Sequence, residues 1–241
     1  MINMHKLLLL AAALFFVLPP VFAKEPPLIR QNSVNRQLIL RRALNVPQAI
    51  SKNERSVAIY LTKPFDNKIE KMQAIAYWIA THIAYDSYKF DNAPNLKNMS
   101  YHYDVFKART GICLDFAKLF QEMSMYAGIR GVRIVSGYVV TTKNLQKQYR
   151  PQQLGTGHAW NAVNLNGYTY YIDTTWMATQ HVATKGNSKF NQWNHKQEIL
   201  KRLRTNTAAK TIANIRYYYF LFTPQDEVRK FGEHHFAVNA D

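Results

Sequence analysis

Cysteine is almost absent from this sequence, which has a single one, Cys113, among 241 residues. One cysteine excludes an intramolecular disulfide, so the folded state must be stabilised by its core. Exported proteins usually either pair their cysteines or avoid them. If this chain is exported, its one unpaired thiol indicates a chemical role or an intermolecular bond.

Long apolar runs are also scarce. The sequence has one, at residues 7–18, and it is too short to span a bilayer comfortably. It follows a short basic segment and precedes small residues that end at Ala23, which is typical of a cleaved secretory signal. We therefore expect residues 1–23 to be a signal peptide, the protein to be periplasmic or secreted, and no transmembrane segment to remain after cleavage. An uncleaved N-terminal anchor is the alternative.

Acidic residues are few, with 15 Asp and Glu against 31 Lys and Arg, so the formal net charge is +16. Loss of Lys6 with the signal leaves a mature chain of about +15. This balance favours an anionic envelope surface or an acidic partner protein. The basic residues are spread out, apart from a denser run at 196–210, and no nucleic-acid-binding motif accompanies them. We expect no nucleic-acid partner.

The remaining composition is that of a packed globular protein, with 47% hydrophobic and 13% aromatic residues. The chain contains no internal repeat, and its length suits one sizeable domain. We assign residues 24–55 to an N-terminal arm and residues 56–241 to that domain.

The segment around Cys113 is the first candidate site. After it, apolar residues recur at helical spacing over 116–127, and Gly128 suits a helix C-terminus. Gly111 breaks the chain upstream, and Thr110 can cap the helix. Cys113 is therefore predicted in the first helical turn, where the partial positive charge favours a thiolate. A small buried hydrophobic role is the alternative.

Other periodic segments complete the outline of the fold. The arm holds a short amphipathic segment at 38–44, and helices are predicted at 56–62, 67–83 and 197–203, the second beginning with a capping box of Asn67 and Glu70. Strands are predicted at 132–136, 138–142, 158–165, 168–174 and 217–222. Residues 85–103 and 143–157 are predicted loops.

A hairpin supplies the second and third candidate residues. Asn166 and Gly167 indicate a two-residue turn between two strands, which pairs Leu165 with Tyr168. That register places His158 and Asp173 on one face as diagonal neighbours, with Cβ atoms roughly 7–8 Å apart. The turn therefore brings a base and a carboxylate together.

Cys113, His158 and Asp173 can supply the three roles of thiol catalysis: a nucleophile, a base and a group that orients the base. Each residue alone has an ordinary structural explanation, as a buried hydrophobe, an edge-strand histidine and a turn aspartate respectively. Their joint arrangement is much less expected by accident.

Three motifs resemble those of the transglutaminase-like superfamily: GICLDFA at 111–117, GHAWN at 157–161 and YIDTTW at 171–176. EKMQAIAYWI at 70–79 and IAYD at 83–86 resemble the helix before the core in its kyphoscoliosis-peptidase-like branch. More loosely, YFLFTP at 219–224 with His234 or His235 is similar to the C-terminal segment of that branch. Residue 174 is threonine where the family often has proline.

The resemblance implies a papain-like α+β fold, with the nucleophile helix packed on an antiparallel sheet. It assigns Cys113 as nucleophile, His158 as general base and then acid, and Asp173 as the residue that orients it, with Trp160 shielding the site. We expect no cofactor and no metal, because acidic ligands are few and because His181, His195, His234 and His235 lack ligand spacing. These histidines are interpreted as structural or surface residues.

The triad, the resemblance and the leader pattern together predict an exported cysteine-dependent acyl hydrolase or transferase that acts on peptide or glutamine side-chain amides, with a peptidase favoured. Two alternatives remain open. One is a crosslinking transglutaminase or a deamidase, since the acceptor differs but the acyl-enzyme does not. The other is a non-catalytic module that binds through its basic surface.

Overall fold

The computed structural model describes residues 35–86, 89–90, 104–141, 156–178, 181–182, 217–223 and 233–239. The predicted signal peptide, the first part of the predicted arm, the loop up to residue 155 and the predicted helix at 197–203 lie outside these residues. Among the helices in the described ranges, none is long and apolar enough to cross a membrane.

The helices precede most of the strands along the chain. They are α1 (Arg36–Leu44), α2 (Glu54–Thr62), α3 (Lys68–His82), α4 (Val105–Ala108), α5 (Cys113–Tyr126) and α6 (Thr174–Met177), with a 3-10 turn at Tyr217–Tyr219. The helices predicted at 56–62 and 67–83 are confirmed as α2 and α3, and the amphipathic segment at 38–44 lies in α1.

The strands are β1 (Ala84–Asp86), β2 (Thr110–Gly111), β3 (Val132–Thr141), β4 (Thr156–Leu165), β5 (Tyr168–Ile172), β6 (His181–Val182), β7 (Phe220–Phe222) and β8 (Glu233–Asn239). The main sheet has the order β7-β5-β4-β3-β8, and each neighbouring pair is antiparallel. A small parallel sheet has the order β2-β1-β6.

Helix α3 is the centre of the hydrophobic core. Asn67 begins it by accepting a hydrogen bond from the Ile69 N–H at 2.8 Å. Glu70 does not complete the predicted capping box; its carboxylate accepts a hydrogen bond from the Asn35 side chain at 3.0 Å instead. Every residue from 72 to 81 is buried, as expected for a helix enclosed by other elements. It packs against α1, α2 and α5.

The antiparallel sheet receives α5 on one face, where the helix packs against β4 and β3. Asn161 joins the two layers, because its amide group donates a hydrogen bond to the Ala117 carbonyl of α5 at 2.9 Å. The predicted architecture, a nucleophile helix on an antiparallel sheet in an α+β fold, is confirmed.

The turn between β4 and β5 follows the sequence prediction. Asn166 and Gly167 have φ angles of 54° and 84°, as a type I′ hairpin requires. Leu165 pairs with Tyr168, and the ladder continues to Asn161 opposite Ile172. The chain then turns into α6 at Asp173, so the second strand ends earlier than predicted.

Several local predictions were wrong. Thr110 lies in β2 and Ile112 is the N-cap of α5, so Thr110 does not cap that helix. The two strands predicted at 132–136 and 138–142 form one continuous strand, β3. Tyr85 lies in β1 rather than in a loop, because β1 pairs with the residues that lead into α5. Residues 217–219 form a 3-10 turn, which shortens the predicted strand to β7.

Candidate active site

Cys113 is the first residue of α5, and its side chain is buried. Ahead of it, the backbone N–H of Ile112 donates a hydrogen bond to Oδ2 of Asp115 at 2.9 Å. This bond holds the chain at the helix entry, where the positive end of the helix dipole faces the thiol. The sequence prediction for the position of Cys113 is therefore confirmed.

A lysine neutralises the acidic residue at this helix terminus. Nζ of Lys89 lies 2.7 Å from Oδ2 of Asp115, and both side chains are mostly buried, at 18% and 17% exposure. The Lys89 N–H also donates to Oδ1 of Asp86 at 2.8 Å, which anchors this residue to the end of β1. Asp115 therefore holds the entry to α5 without leaving an unpaired negative charge two residues from Cys113.

His158 on β4 and Asp173 after β5 form a direct pair. Nε2 of His158 lies 2.6 Å from Oδ2 of Asp173, and the side chains are 8% and 0% exposed. The structure thus brings together the two residues that the hairpin register predicts as neighbours. Because a carboxylate only accepts hydrogen bonds, Nε2 of His158 carries the proton, and Nδ1 is the nitrogen available to another partner.

Cys113 interacts with His158 through hydrogen bonding and charge, which places the thiol beside the imidazole. All three residues predicted from the sequence therefore meet, in the order thiol, imidazole, carboxylate. A base and an orienting acid in this order are what thiol activation requires.

His158 and Asp173 each stabilise the charged form of the other. Burial disfavours the protonated form of His158, but the Asp173 carboxylate and the hydrogen bonds outweigh burial and raise the pKa of His158 to about 10. Burial would also raise the pKa of Asp173, yet the charge and hydrogen bond of His158, followed by those of His235, hold it well below its usual range. Asp173 is therefore ionised, and imidazolium is the favoured form of His158.

Asp173 has two further hydrogen bonds. Its Oδ1 accepts from the backbone N–H of Trp176 at 2.9 Å, so the residue is also the N-cap of α6. Its Oδ2 also accepts a hydrogen bond from a second imidazole, that of His235, whose Nε2 lies 3.1 Å away. The carboxylate is therefore held from three directions, by β4, β8 and α6.

Aromatic rings enclose the imidazole of His158. Trp176 is half-buried, and its ring centroid lies 5.4 Å from that of His158. Trp160 is 1% exposed with its centroid 6.0 Å from the same ring. Trp160 lies on the interior side of the ring and Trp176 on the more exposed side, and shielding of the site by Trp160 stays a prediction. Such walls limit the access of water, which strengthens the electrostatic interactions within the site.

One group of metal-ligand residue types is present among the described side chains. Ligand atoms of His158, Asp173 and His235 lie within 4.8 Å of one another. Two nitrogens and a carboxylate oxygen are donors that zinc accepts. The separations of 2.6 and 3.1 Å are, however, those of N–H···O hydrogen bonds, which account for the arrangement without an ion. The expectation of no metal requirement stays a prediction.

Comparison with known proteins agrees with this geometry. Residues 55–178 match the family model described as the transglutaminase-like superfamily. The chain belongs to this superfamily. The matched range holds Cys113, His158 and Asp173, whereas His235 lies beyond its end.

Two relatives of this transglutaminase-like protein are the kyphoscoliosis peptidases of Mus musculus and Homo sapiens. They are 33% and 32% identical over 112 residues. The match covers 45% of this chain and 16% of each relative, so the chain spans a small part of their length. A solved structure described as a crystal structure of a TGase has 12% identity and a TM-score of 0.36, and the match covers 80% of this chain and 56% of that one.

His235 is a site residue that the sequence pattern does not predict. It is one of the four histidines interpreted above as structural or surface residues, yet it is buried against Asp173. The side chains of His181 and His234, and the whole of His195, lie outside the description. The one signal for His235 was the loose similarity of the C-terminal segment to the kyphoscoliosis-peptidase-like branch.

Proposed function

We propose that this protein is an exported cysteine-dependent acyl hydrolase or transferase that acts on peptide or glutamine side-chain amides, with peptide hydrolysis as the favoured reaction. The observation that carries the proposal is the His158–Asp173 pair at 2.6 Å, with Cys113 at the start of α5 interacting with the same imidazole. Similarity to two proteins named kyphoscoliosis peptidase supports hydrolysis over crosslinking.

The chemistry proceeds in two halves. The Cys113 thiolate attacks the amide carbon, a C–S bond forms, and the carbonyl electrons move to oxygen near the free N–H groups of the α5 terminus. The His158 imidazolium then donates its proton to the leaving nitrogen as the C–N bond breaks. Neutral His158 next takes a proton from water, the resulting hydroxide attacks the thioester carbon, and the C–S bond breaks to restore the ion pair.

The acceptor in the second half decides the reaction class. Water gives peptide hydrolysis, or deamidation when ammonia was the leaving group, whereas a lysine amine gives a crosslink. The site residues of the first half are common to all three.

The test is to trap the thioester. We expect mass spectrometry of the wild type, mixed with a peptide library, quenched in acid and digested, to show an acyl adduct on the peptide that contains Cys113. The increment identifies the donor, and product analysis for free acid, ammonia or crosslink identifies the acceptor. C113A and H158A should form no adduct. Full activity of C113A on any identified amide would overturn the proposal.

Export is a separate part of the proposal, supported by the leader pattern of residues 1–23. The net charge of +16 supports residence near an anionic envelope surface or an acidic partner. N-terminal sequencing of the mature protein should find Lys24 first. Recovery of an intact Met1 from the cytoplasm would contradict export.

A further inference from the structure

His235 is the side chain of the site that neither the triad nor the family match includes. It lies on β8, and its side chain has no exposure to solvent. The family match ends at residue 178, so the comparison assigns no role to it. The pairing of β8 in the sheet nevertheless places its ring against Oδ2 of Asp173, the same oxygen atom that accepts from His158.

We propose that His235 is a positioning residue, which donates a hydrogen bond to Asp173 and so fixes the carboxylate against His158. This inference rests on the proposed thiol chemistry. It concerns how the base is held, and it assigns His235 no contact with substrate.

The hydrogen bonds of Asp173 show why a second imidazole matters. Oδ1 is committed to the Trp176 N–H, while Oδ2 accepts from both His158 and His235. Without His235, Oδ2 would be held by the Nε2–H of His158 alone, and that bond weakens each time His158 gives up its Nδ1 proton and loses its positive charge. A donor that takes no part in proton transfer keeps the carboxylate in place while His158 loses and regains its proton.

The surroundings of His235 keep it in this role. Its ring makes edge-to-face contacts with Trp160, at 4.8 Å between centroids, and with Trp176, at 5.0 Å. Phe222 packs at 5.3 Å on another side. A ring enclosed by aromatic walls has few alternative rotamers, so its Nε2–H stays directed at Asp173.

The backbone is also arranged for this approach. On β3, Gly137 pairs with His158 on one side and with Ala237 of β8 on the other, next to a register shift between Ser136 and Gly137. A Cβ atom at Gly137 would lie 1.8 Å from the carbonyl oxygen of Phe236. The absence of a side chain therefore lets β8 come close enough to present His235.

The test uses a matched pair of variants, H235Q and H235M. The two side chains have nearly the same length and volume, but only glutamine keeps an N–H donor near the position of Nε2. H235F is a third variant that keeps an aromatic ring without a donor. Val238→Ala, at a residue 57% exposed on the same strand, controls for general disturbance of β8.

The measured quantity is the rate of alkylation by iodoacetamide, followed by mass spectrometry from pH 5 to pH 10. Cys113 is the only cysteine, so the rate reports one thiol, and urea-denatured protein supplies the rate of an unactivated thiol. We expect H235M and H235F to react about tenfold to a hundredfold more slowly than wild type at pH 6. All variants should converge at pH 10, where thiols ionise without help.

H235Q should restore most of the rate that H235M loses, which a purely packing role for the ring would not produce. Equal rates for wild type, H235M and H235F at pH 6 would overturn the inference. Equal slowing of H235Q and H235M, with H235F unaffected, would show that only the ring shape matters and would also overturn it. If H235M fails to fold, the alkylation rates of H235F and H235Q are compared instead, and H235F should be the slower of the two. Wild-type Cys113 that reacts like denatured protein at pH 6 would instead defeat the proposed thiol chemistry itself.

Discussion

The two carboxylate oxygens of Asp173 have different partners. Oδ1 accepts a hydrogen bond from the backbone N–H of Trp176 at 2.9 Å, and Oδ2 accepts one from Nε2 of His158 at 2.6 Å. Asp173 is therefore both the N-cap of α6 and the partner of the base. The two functions can be separated by substitution.

D173N should keep the N-cap of α6 and lose the acceptor that orients His158. Asparagine retains a carbonyl oxygen for the Trp176 N–H, but its amide group then presents a donor to the Nε2–H of His158. We expect D173N to fold with a stability lowered by loss of the buried charge, and to lose activity by about 10⁴-fold, as when the acid of a Ser-His-Asp triad is replaced by its amide. Alkylation of Cys113 at pH 6 should slow as well.

D173A is the matched variant, since it loses both functions. Its unfolding free energy in urea should fall by about 1 kcal/mol more than that of D173N, which is the typical contribution of an N-cap. Equal stability of D173N and D173A would contradict the capping role. Wild-type alkylation of D173N at pH 6 would contradict the orienting role.

Lys89 should support the reactivity of Cys113 from a distance. In K89M, the Asp115 carboxylate keeps its bond to the Ile112 N–H but loses the ion pair at 2.7 Å. Its uncompensated negative charge then opposes thiolate formation at the α5 terminus. We expect alkylation of Cys113 at pH 6 to slow roughly threefold to tenfold, because the repulsion between the Asp115 charge and the thiolate is partly screened.

The double variant K89M/D115N removes both charges while asparagine can still accept the Ile112 N–H. It should recover most of the K89M loss. A double variant as slow as K89M would show that Lys89 acts through packing rather than through charge.

Gly137 should be intolerant of any side chain. Alanine there places a methyl group against the Phe236 carbonyl, and overpacking at such a position costs roughly 1–3 kcal/mol or more. We expect a lower urea midpoint for G137A. G157A is the control, because a Cβ at Gly157 on the neighbouring strand meets no atom within 4 Å. Similar losses for G137A and G157A would contradict the close approach of β8.

His82 should make the fold sensitive to acid. Burial, with a smaller effect of Arg109, outweighs the hydrogen bond to the Trp78 carbonyl and lowers the pKa of His82 from 6.5 to about 4. Between pH 6.5 and pH 4 the unfolded chain binds more protons at His82 than the folded chain does. Protonation of His82 therefore leaves the free energy of unfolding unchanged above pH 6.5 and lowers it as the pH decreases towards 4. The maximum slope is about 1.4 kcal/mol per pH unit.

H82F keeps a ring that can stack on Trp78, as His82 does at 4.9 Å between centroids, but it cannot be protonated. Urea unfolding at pH 7.5 and pH 4.5 should show a smaller loss of stability for H82F than for wild type. Equal losses would mean that other groups account for the acid sensitivity.

Much of the site was determined by local sequence. Apolar spacing after Cys113 is enough to predict α5, because a helix is made of contacts three and four residues apart. The Asn166–Gly167 turn fixes the register of β4 against β5, because a two-residue loop permits one pairing. That register places His158 beside Asp173 with no knowledge of the rest of the fold, and the family motifs agree with it.

Tertiary structure alone decided the rest. His235 lies 62 residues beyond Asp173 along the chain, and it reaches the carboxylate only because β8 pairs with β3 at the far edge of the sheet. The partner of Asp115 likewise depends on where β1 directs Lys89, 26 residues earlier. Neither contact has a periodic signal in the sequence, because pairings between distant segments are selected by the packing of the whole core rather than by the preferences of neighbouring residues.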